Sequence, residues 1–389
     1  MKIALVGPSL GGGGAERVLT TLANAWVTRG REIVLVTLSG TDDDTYLLRA
    51  QVRRIGLEML KESACAAEGL INNLHRIRIL RRTFGGIDPD VVLSFTTTTN
   101  ILSVLSCTGT GIPVVVSERA SAQDHPPTGP WRRLLRHAYR RAAAVVVQTE
   151  AGARWFRGPI GDHVYVVPNP LPAWATRQDM EPYRPDMGGS RSHRLIAMGR
   201  LERQKGFDLL LEAFAGIAHR YPDWVLVVAG EGSLRDELQG QARRLGLADR
   251  VSFPGFLHAP LAVLRAGDAF VLSSRYEGMP NALLEAMACG MPCVSFDCRT
   301  GPGELIDHEV DGLLVPPEDV EGLGQALARV MGDPSLRRRL GRGAARVTER
   351  FNVDRIITEW ESVFSRVSTR RGRNCACGCR KGGRGGHGA

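Results

Sequence analysis

Hydrophobic and polar positions follow two alternating periods along most of this 389-residue chain. Short runs rich in β-branched residues are followed by amphipathic stretches of helical period, which is typical of repeated βα units on a parallel sheet. The pattern predicts helices at residues 15–29 and 130–141, and strands at residues 3–6, 33–38, 91–95, 114–117, 145–148 and 164–167. The sequence therefore predicts one doubly wound α/β domain over residues 1–170.

The same pattern restarts after a segment without periodicity. Residues 171–194 concentrate Pro, Gly and polar side chains, as an interdomain linker does. The second set of predicted elements comprises strands at 195–198, 225–228, 251–253, 269–272 and 293–296, and helices at 207–219, 234–245, 280–288 and beyond 320. We expect a second domain of the same class over residues 195–352, and a cleft where the carboxyl ends of the two sheets face each other.

The end of the sequence differs from both domains. One more amphipathic stretch predicts a helix over residues 353–367, and residues 368–389 are rich in Gly, Arg and Cys. The apolar content of this basic tail is too low to offset the entropy of ordering, so we expect it to be disordered.

Composition and charge exclude several classes of protein. With 43% hydrophobic and 23% charged residues the chain resembles a globular protein. No apolar run reaches the roughly 18 residues of a bilayer-spanning helix, and no secretory leader pattern is present, so we expect a cytoplasmic protein. The net charge of +9 is concentrated in the tail and aromatic residues amount to 6%, so we expect no nucleic-acid partner.

A glycine-rich loop follows the first predicted strand and opens the first predicted helix. Gly13 and Gly14 in this loop let backbone N–H groups approach an anion, which a helix N-terminus favours. The loop lacks the G-x-G-x-x-G spacing, and no acidic residue follows the second strand to hold a ribose. The pattern indicates a phosphate contact rather than a dinucleotide site, with a plain tight turn as the alternative.

Charged residues gather at two further strand ends. Arg200 and Lys205 lie on one loop after the strand at 195–198, where two cations can neutralise a diphosphate. A solvated charge run is the alternative for this loop. Glu277 precedes the helix predicted at 280–288, and Glu285 lies inside that helix beside its apolar face. From the residues alone, two surface glutamates remain the simpler interpretation.

Together these motifs resemble the retaining glycosyltransferases of family 4 over about residues 1–365. The resemblance rests on the loop Gly13-Gly14-Ala15-Glu16, the hinge Val167-Pro168-Asn169-Pro170, the element Gly199-Arg200 with Lys205-Gly206, and the E-x7-E pair Glu277/Glu285. It implies the GT-B architecture, in which two facing Rossmann-like domains bind the acceptor on the N-terminal side and the nucleotide-sugar donor on the C-terminal side.

The resemblance also implies roles for the charged residues. Arg200 and Lys205 would bind the diphosphate of the donor. Glu285 would bind the ribose hydroxyls, and Glu277 would contact the donor sugar near the reacting carbon. Glu277, Arg200 and Lys205 are therefore the predicted catalytic residues.

Five more residues complete the implied donor site. The backbone of Gly278 and Met279 would contact the donor sugar, and Gly13 and Gly14 would approach the sugar and phosphate from the other domain. Arg119 stands where the family often has a His or Arg that faces the sugar.

The function implied is transfer of a hexosyl unit, with retention, from a nucleotide-sugar to a saccharide or lipid-linked saccharide acceptor. Residues 300–304 are similar in sequence to the polysaccharide-assembly branch, where UDP-hexoses are the usual donors. The acidic triplet at residues 42–44 lies in a polar loop, where such residues are usually solvated, so we expect no metal site and no cofactor. A noncatalytic sugar-nucleotide-binding subunit and an NAD-dependent oxidoreductase are the alternatives.

Two basic segments of the first domain indicate a membrane surface. Residues 131–141 carry five arginines and residues 75–82 carry four, and both segments combine the cations with Trp or Leu. Peripheral membrane helices have this composition, so we expect contact with the inner face of the cell membrane. Ordinary basic helices that pack their aliphatic faces on the sheet are an equal alternative.

Overall fold

The computed structural model of the chain describes residues 1–42, 44–60, 65–119, 130–172, 175, 193–257 and 260–378. These residues form two α/β domains, each built on one parallel sheet, and a long C-terminal helix. The fold class predicted from the sequence is confirmed.

Seven parallel strands form the sheet of the N-terminal domain. They are β1 (Lys2–Gly7), β2 (Glu32–Thr37), β3 (Arg53–Gly56), β4 (Val91–Phe95), β5 (Val114–Ser117), β6 (Ala144–Val147) and β7 (Val164–Val166). Their order across the sheet is β3-β2-β1-β4-β5-β6-β7. The direction of winding therefore reverses between β1 and β4, where open α/β sheets bind their ligands.

Within the described residues, five helices of this domain pack on the sheet. They are α1 (Gly14–Thr28), α2 (Ala66–Ile87), α3 (Thr97–Cys107), α4 (Pro130–Arg141) and α5 (Glu150–Ile160). Helix α1 packs on one face of the sheet, and side chains of α2 to α5 join the core on the other face.

The sequence prediction for this domain was incomplete. Strand β3 was missed because its sequence, Arg-Arg-Ile-Gly, has no apolar run and lies at the sheet edge. Helix α3 was missed because it is buried on nearly all sides, polar residues included, so it lacks an amphipathic period. Helices α2 and α5 were missed as well, although the basic segment at residues 75–82 was recognised and lies within α2.

Six parallel strands form the sheet of the C-terminal domain. They are β8 (His193–Met198), β9 (Trp224–Ala229), β10 (Val251–Gly255), β11 (Ala269–Leu272), β12 (Cys293–Phe296) and β13 (Leu313–Val315), in the order β10-β9-β8-β11-β12-β13. The first strand begins at residue 193 rather than 195, and the short edge strand β13 was not predicted. Residues 193 and 194 of the predicted linker belong to β8, and residues 173, 174 and 176–192 lie outside the described residues.

The helices of the second domain lie on both faces of its sheet. They are α6 (Phe207–Ala218), α7 (Arg235–Arg244), α8 (Pro260–Ala266), α9 (Asn281–Ala288), α10 (Pro302–Leu305), α11 (Val320–Gly332), α12 (Pro334–Ala344) and α13 (Val347–Arg350). A short 3₁₀ turn, Arg203–Lys205, separates β8 from α6. This turn places the two predicted cations close to the end of β8.

The C-terminal helix, α14 (Val353–Gly378), returns to the N-terminal domain. Trp360 is buried there with its ring centroid 6.4 Å from that of Trp26 on α1, and Ile356, Ile357 and Phe364 join the same core. The expectation that the helix ends at residue 367 and that disorder follows is corrected, since α14 continues to Gly378. Extending a formed helix costs little, and Arg and Ala are good helix formers. Residues 379–389 lie outside the described part.

No helix in the described part of the chain combines the length and the apolar sequence that a bilayer crossing requires.

Candidate functional site

A cleft of about 860 Å³ separates the two domains at the carboxyl ends of both sheets. Its walls contain all nine residues that the sequence analysis selected, namely Gly13, Gly14, Arg119, Arg200, Lys205, Glu277, Gly278, Met279 and Glu285. The structure therefore brings together residues that are up to 272 positions apart in the chain, from Gly13 to Glu285. Their roles toward a substrate stay predictions.

Lys205 and Glu277 form one ion pair in the wall of the C-terminal domain. Lys205 Nζ donates to Glu277 Oε1 at 2.6 Å, and the Ser274 hydroxyl donates to the same oxygen at 2.7 Å. Both charged side chains are largely buried. The pair therefore places an ammonium and a carboxylate at fixed positions beside the cleft.

Arg200 lies nearer the solvent than Lys205. Its side chain is 65% exposed and contacts Glu202 with 3.3 Å between Nη1 and Oε1. An exposed arginine keeps the freedom to reorient its planar guanidinium toward an anion.

Glu285 is buried in α9 and forms an ion pair with Arg17 of α1, on the opposite side of the cleft. Arg17 Nη1 lies 2.5 Å from Oε1 and 2.7 Å from Oε2 of Glu285, whose side chain is 1% exposed. Burial raises the pKa of Glu285, and the Arg17 charge offsets part of that rise. Burial by itself would lower the pKa of Arg17, but Glu285 and Tyr46 together outweigh it and the pKa is raised.

The glycine-rich loop forms the floor of the cleft on the N-terminal side. Gly13 is the residue before α1, and the Gly14 carbonyl accepts a hydrogen bond of 3.0 Å from Asn281 Nδ2 at the start of α9. A Cβ on Gly13 would collide with the Glu16 carboxylate. The two domains thus meet directly at the N-terminus of α1.

Asn169 in the hinge connects both walls of the cleft. Its Oδ1 accepts from Arg119 Nη1 at 2.5 Å and from Gln148 Nε2 at 3.1 Å. Its Nδ2 donates to Asn281 Oδ1 at 2.6 Å, and its backbone N–H donates to the Met279 sulfur at 3.1 Å. The buried amide therefore links the end of β5 to the start of α9.

Arg119 is the least compensated cation of the cleft. Its guanidinium carbon lies 4.4 Å from the centroid of the Phe95 ring, and its Nε and Nη2 have no hydrogen-bond partner among the described residues. Burial lowers its pKa to about 9, and the neighbouring Glu118 opposes the shift. A cation in these surroundings would be stabilised by an anionic or hydroxyl-rich ligand.

Glu118 is a buried cleft residue that the sequence analysis did not assign to the site. Thr97 Oγ1 donates to both of its carboxylate oxygens, at 3.0 and 2.9 Å, and Tyr139 Oη donates to Oε2 at 2.6 Å. These donors fix a negative charge beside Arg119. In the sequence, Glu118 is marked only by its position as an acidic residue directly after a buried strand.

Arg17, Asn169 and Asn281 were also absent from the predicted site residues. Arg17 had a signal, because a cation in the first turn of a helix is opposed by the helix dipole and indicates a specific acidic partner. For the two asparagines the sequence gives only their positions: Asn169 lies in the hinge, and Asn281 follows Pro280.

One residue of the acidic triplet at 42–44 has a structural role. Asp44 forms an ion pair with Arg54 of β3 at 2.8 Å, and Asp43 lies outside the described residues. Within the described residues, no three His, Cys, Asp or Glu side chains converge as a metal ion requires.

Comparison with known proteins identifies the class. Residues 12–173 match the family model described as Glycosyltransferase Family 4, and residues 189–347 match the model described as Glycosyl transferases group 1. The two matches cover one domain each and confirm the resemblance found in the sequence. The chain belongs to the family 4 glycosyltransferases of the GT-B fold.

Two relatives were matched individually, and the one matched over nearly its whole length is named as a glycosyltransferase. An exopolysaccharide phosphotransferase of Streptomyces coelicolor is 33% identical over 75% of this chain, but the chain spans only 30% of that relative's length. A Campylobacter jejuni enzyme is 26% identical to this chain over 94% of the chain and 99% of its own length. It is named GalNAc-alpha-(1->4)-GalNAc-alpha-(1->3)-diNAcBac-PP-undecaprenol alpha-1,4-N-acetyl-D-galactosaminyltransferase.

A solved structure shares the fold over nearly the whole chain. The Anabaena protein HepE, determined in complex with UDP, has a TM-score of 0.77 at 21% identity, over 94% of this chain and 100% of that one. At this identity the likeness establishes the fold.

Proposed function

We propose that the protein transfers a hexosyl unit, with retention of the anomeric configuration, from a UDP-sugar to a saccharide or lipid-linked saccharide acceptor. The step belongs to the assembly of a cell-surface polysaccharide. The donor binds in the cleft mainly through the C-terminal domain, and the acceptor enters from the N-terminal domain.

One observation carries this proposal: two cations, two buried carboxylates and a glycine-rich helix N-terminus line the same cleft. Arg200 and Lys205 suit a diphosphate, and the N-terminus of α1 adds a partial positive charge opposite them. Glu277 and Glu285 can accept hydrogen bonds from sugar and ribose hydroxyls. An NAD-dependent reaction would not need two carboxylates placed in this way.

The chemistry is displacement on the face from which the leaving group departs. The acceptor oxygen forms the new bond to the anomeric carbon while the bond from that carbon to the diphosphate breaks, and the departing phosphate oxygen takes the acceptor proton. Lys205 and Arg200 stabilise the negative charge that develops on the diphosphate. Glu277 and Arg119 orient the sugar, so the protein contributes positioning and charge.

Names of relatives support the donor and acceptor classes. The Anabaena neighbour was solved with UDP, and the Campylobacter relative is named for a PP-undecaprenol-linked saccharide. We propose that no metal or other cofactor takes part, because side-chain cations occupy the diphosphate end of the cleft. Full activity in the presence of EDTA would agree with this.

We also place the protein in the cytoplasm, with peripheral contact to the inner face of the membrane. Leu70, Ile71 and Leu74 of α2 and Trp131 of α4 are exposed, and both helices also carry exposed arginines. A membrane-bound acceptor would then lie close to the N-terminal domain.

The test is a screen of UDP-, GDP- and ADP-sugars with the purified full chain. Mass spectrometry should detect slow release of UDP from one UDP-hexose, and NMR of a transferred product should show the anomeric configuration of the donor. Glu277→Ala should abolish release while circular dichroism stays unchanged.

Two results would contradict the proposal. Tight binding of NAD without binding of any nucleoside diphosphate would favour an oxidoreductase. Binding of UDP-sugars without hydrolysis or transfer, tested with lipid-linked and free saccharides, would favour a noncatalytic subunit.

A further inference from the structure

We propose that Arg17 is a positioning residue for recognition of the nucleotide ribose. It fixes the carboxylate of Glu285, which lies in the opposite domain, in the position that binds the ribose. The inference rests on the proposed function, since it concerns how the same cleft recognises its nucleotide. It adds a residue of the N-terminal domain to a recognition step otherwise assigned to the C-terminal domain.

The geometry of the pair is the first argument. One nitrogen of Arg17, Nη1, lies within hydrogen-bond distance of both Glu285 oxygens, at 2.5 and 2.7 Å. This nitrogen therefore occupies the edge of the carboxylate between the two oxygens. A carboxylate has about four lone-pair sites, so the outer sites remain for two ribose hydroxyls.

The protonation state of Glu285 is the second argument. An ionised carboxylate accepts hydrogen bonds at both oxygens, whereas a protonated carboxyl uses one of its oxygens as a donor. Burial of Glu285 in α9 favours the neutral form. The positive charge of Arg17 opposes this, so the arginine favours the ionised form, in which both oxygens can accept from a ribose.

Arg17 is also held in place by its own domain. Its Nε lies 3.4 Å from Tyr46 Oη, and its guanidinium carbon lies 5.5 Å from the centre of the Tyr46 ring. Tyr46 Oη in turn donates to the carbonyl oxygen of Gly13 at 3.2 Å. The arginine is thereby connected to the glycine-rich loop.

A functional consequence follows from this connection. Arg17 can reach Glu285 only when the two domains are as close as they are in this structure. Full recognition of the ribose therefore requires a closed cleft, and it is coupled to the arrival of the glycine-rich loop at the diphosphate.

The experiment compares UDP with 2′-deoxy-UDP by isothermal titration calorimetry. Wild-type protein should bind UDP more tightly, because only UDP offers both ribose hydroxyls to Glu285. In Arg17→Met, UDP affinity should fall about tenfold, the value of one hydrogen bond to a charged group, whereas 2′-deoxy-UDP affinity should change less than about twofold. Arg29→Met is the control, since Arg29 directly follows α1 and pairs with Asp354 away from the cleft.

A second set of variants separates ribose positioning from a general effect on folding. Arg17→Lys keeps a positive charge with different geometry and should show an intermediate loss for UDP. Glu285→Gln should lose the same discrimination, and the double variant Arg17→Met with Glu285→Gln should be no weaker than Glu285→Gln alone. If Arg17→Met does not fold, as judged by circular dichroism, the lysine variant provides the comparison.

Four outcomes would overturn the inference. Equal losses for both nucleotides would make Arg17 a diphosphate ligand or a purely structural residue. Unchanged discrimination in both Arg17 variants would remove its link to the ribose. Wild-type protein that transfers sugar from a UDP-hexose but does not distinguish the two nucleotides would refute the inference and leave the proposed function standing, whereas absence of any nucleotide binding would refute both.

Discussion

Three cations of the cleft form ion pairs with carboxylates. Lys205 contacts Glu277, Arg200 contacts Glu202, and Arg17 contacts Glu285. A diphosphate must therefore compete with these carboxylates or share the cations with them. The buried pairs are the ones whose loss matters most, because an unpaired charge left in a buried site is costly.

The first prediction concerns the two cations assigned to the diphosphate. Lys205→Ala and Arg200→Ala should each lower turnover of the UDP-hexose about a hundredfold or more, since each removes stabilisation of charge that develops as the leaving group departs. The more buried Lys205 should have the larger effect. Steady-state release of UDP at saturating donor measures this.

Arg203→Ala is the matched control for this prediction. Arg203 is exposed, lies in the same 3₁₀ turn as Lys205 and does not line the cleft. Its variant should keep wild-type turnover. Wild-type turnover in both the Lys205 and Arg200 variants would mean that neither cation contacts the diphosphate.

At the scale of elements, the loop between β11 and α9 determines how closely the domains approach. A Cβ on Gly278 would lie 2.7 Å from the carbonyl oxygen of Arg119 and 2.7 Å from Gln148 Oε1, both in the N-terminal domain. These distances are shorter than van der Waals contact allows. Glycine at this position therefore permits the closed cleft.

The second prediction follows from this contact. Gly278→Ala should push the loop away from β5 and lower turnover at least about tenfold, because misplacing reacting groups by about an ångström is costly. The unfolding midpoint should change little, since the two sheets and their cores are untouched. Turnover and urea denaturation of the same preparation provide the measurement.

Gly216→Ala provides the comparison for this variant. Gly216 lies in α6, and a Cβ there would meet nothing within 4 Å. Alanine should stabilise this helix by up to about 1 kcal/mol without changing turnover. If Gly278→Ala were as active as Gly216→Ala, close approach at residue 278 would not be needed for the reaction.

The elements also show how far the sequence predicts the fold. Interior strands such as β1 and β9 were predicted because strands buried on both faces are continuous apolar runs. Strands β3 and β13 were not predicted, because short strands at the edge of a sheet do not need a continuous apolar run. Helix α3 failed for the opposite reason, since burial on nearly all sides removes the amphipathic period.

The candidate site divides in a similar way. Glycines and charges at strand ends were predicted because parallel strands bring their carboxyl ends to one edge of the sheet. The Arg17–Glu285 pair and the Asn169 contacts could not be predicted from the sequence, because they depend on how one domain is oriented against the other. Periodicity along a chain carries no information about that orientation.

At the scale of the whole molecule, α14 ties the end of the described chain to its beginning. Trp360 packs against Trp26 of α1, and the guanidinium carbon of Arg119 lies 5.9 Å from the centroid of the Trp360 ring. The helix that follows the second domain thus supports the first domain behind the cleft. Movement of the domains must bend the chain both at the hinge and ahead of α14.

The outer layer of the N-terminal domain carries a surface that we call the basic face, defined by Leu70, Ile71 and Leu74 of α2, Trp131 of α4 and the exposed arginines of both helices. Helices α2 and α4 both pack beside α3, so these residues lie on the same side of the sheet. Ile71 is 66% exposed and Trp131 is 47% exposed. Apolar side chains among cations suit the interface of an anionic membrane.

The last prediction is that the protein floats with anionic vesicles through the basic face. Binding should weaken as salt rises, because each arginine near an anionic surface contributes about 1 kcal/mol and salt screens that attraction. Leu70→Glu combined with Ile71→Glu should reduce the floated fraction severalfold at constant salt. Val310→Glu, the same type of change at an exposed site of the C-terminal domain, should leave it unchanged. Flotation that is absent, insensitive to salt, or equal in all three proteins would show that the basic helices only cover the sheet, and a lipid-linked acceptor would then have to reach the cleft without help from this surface.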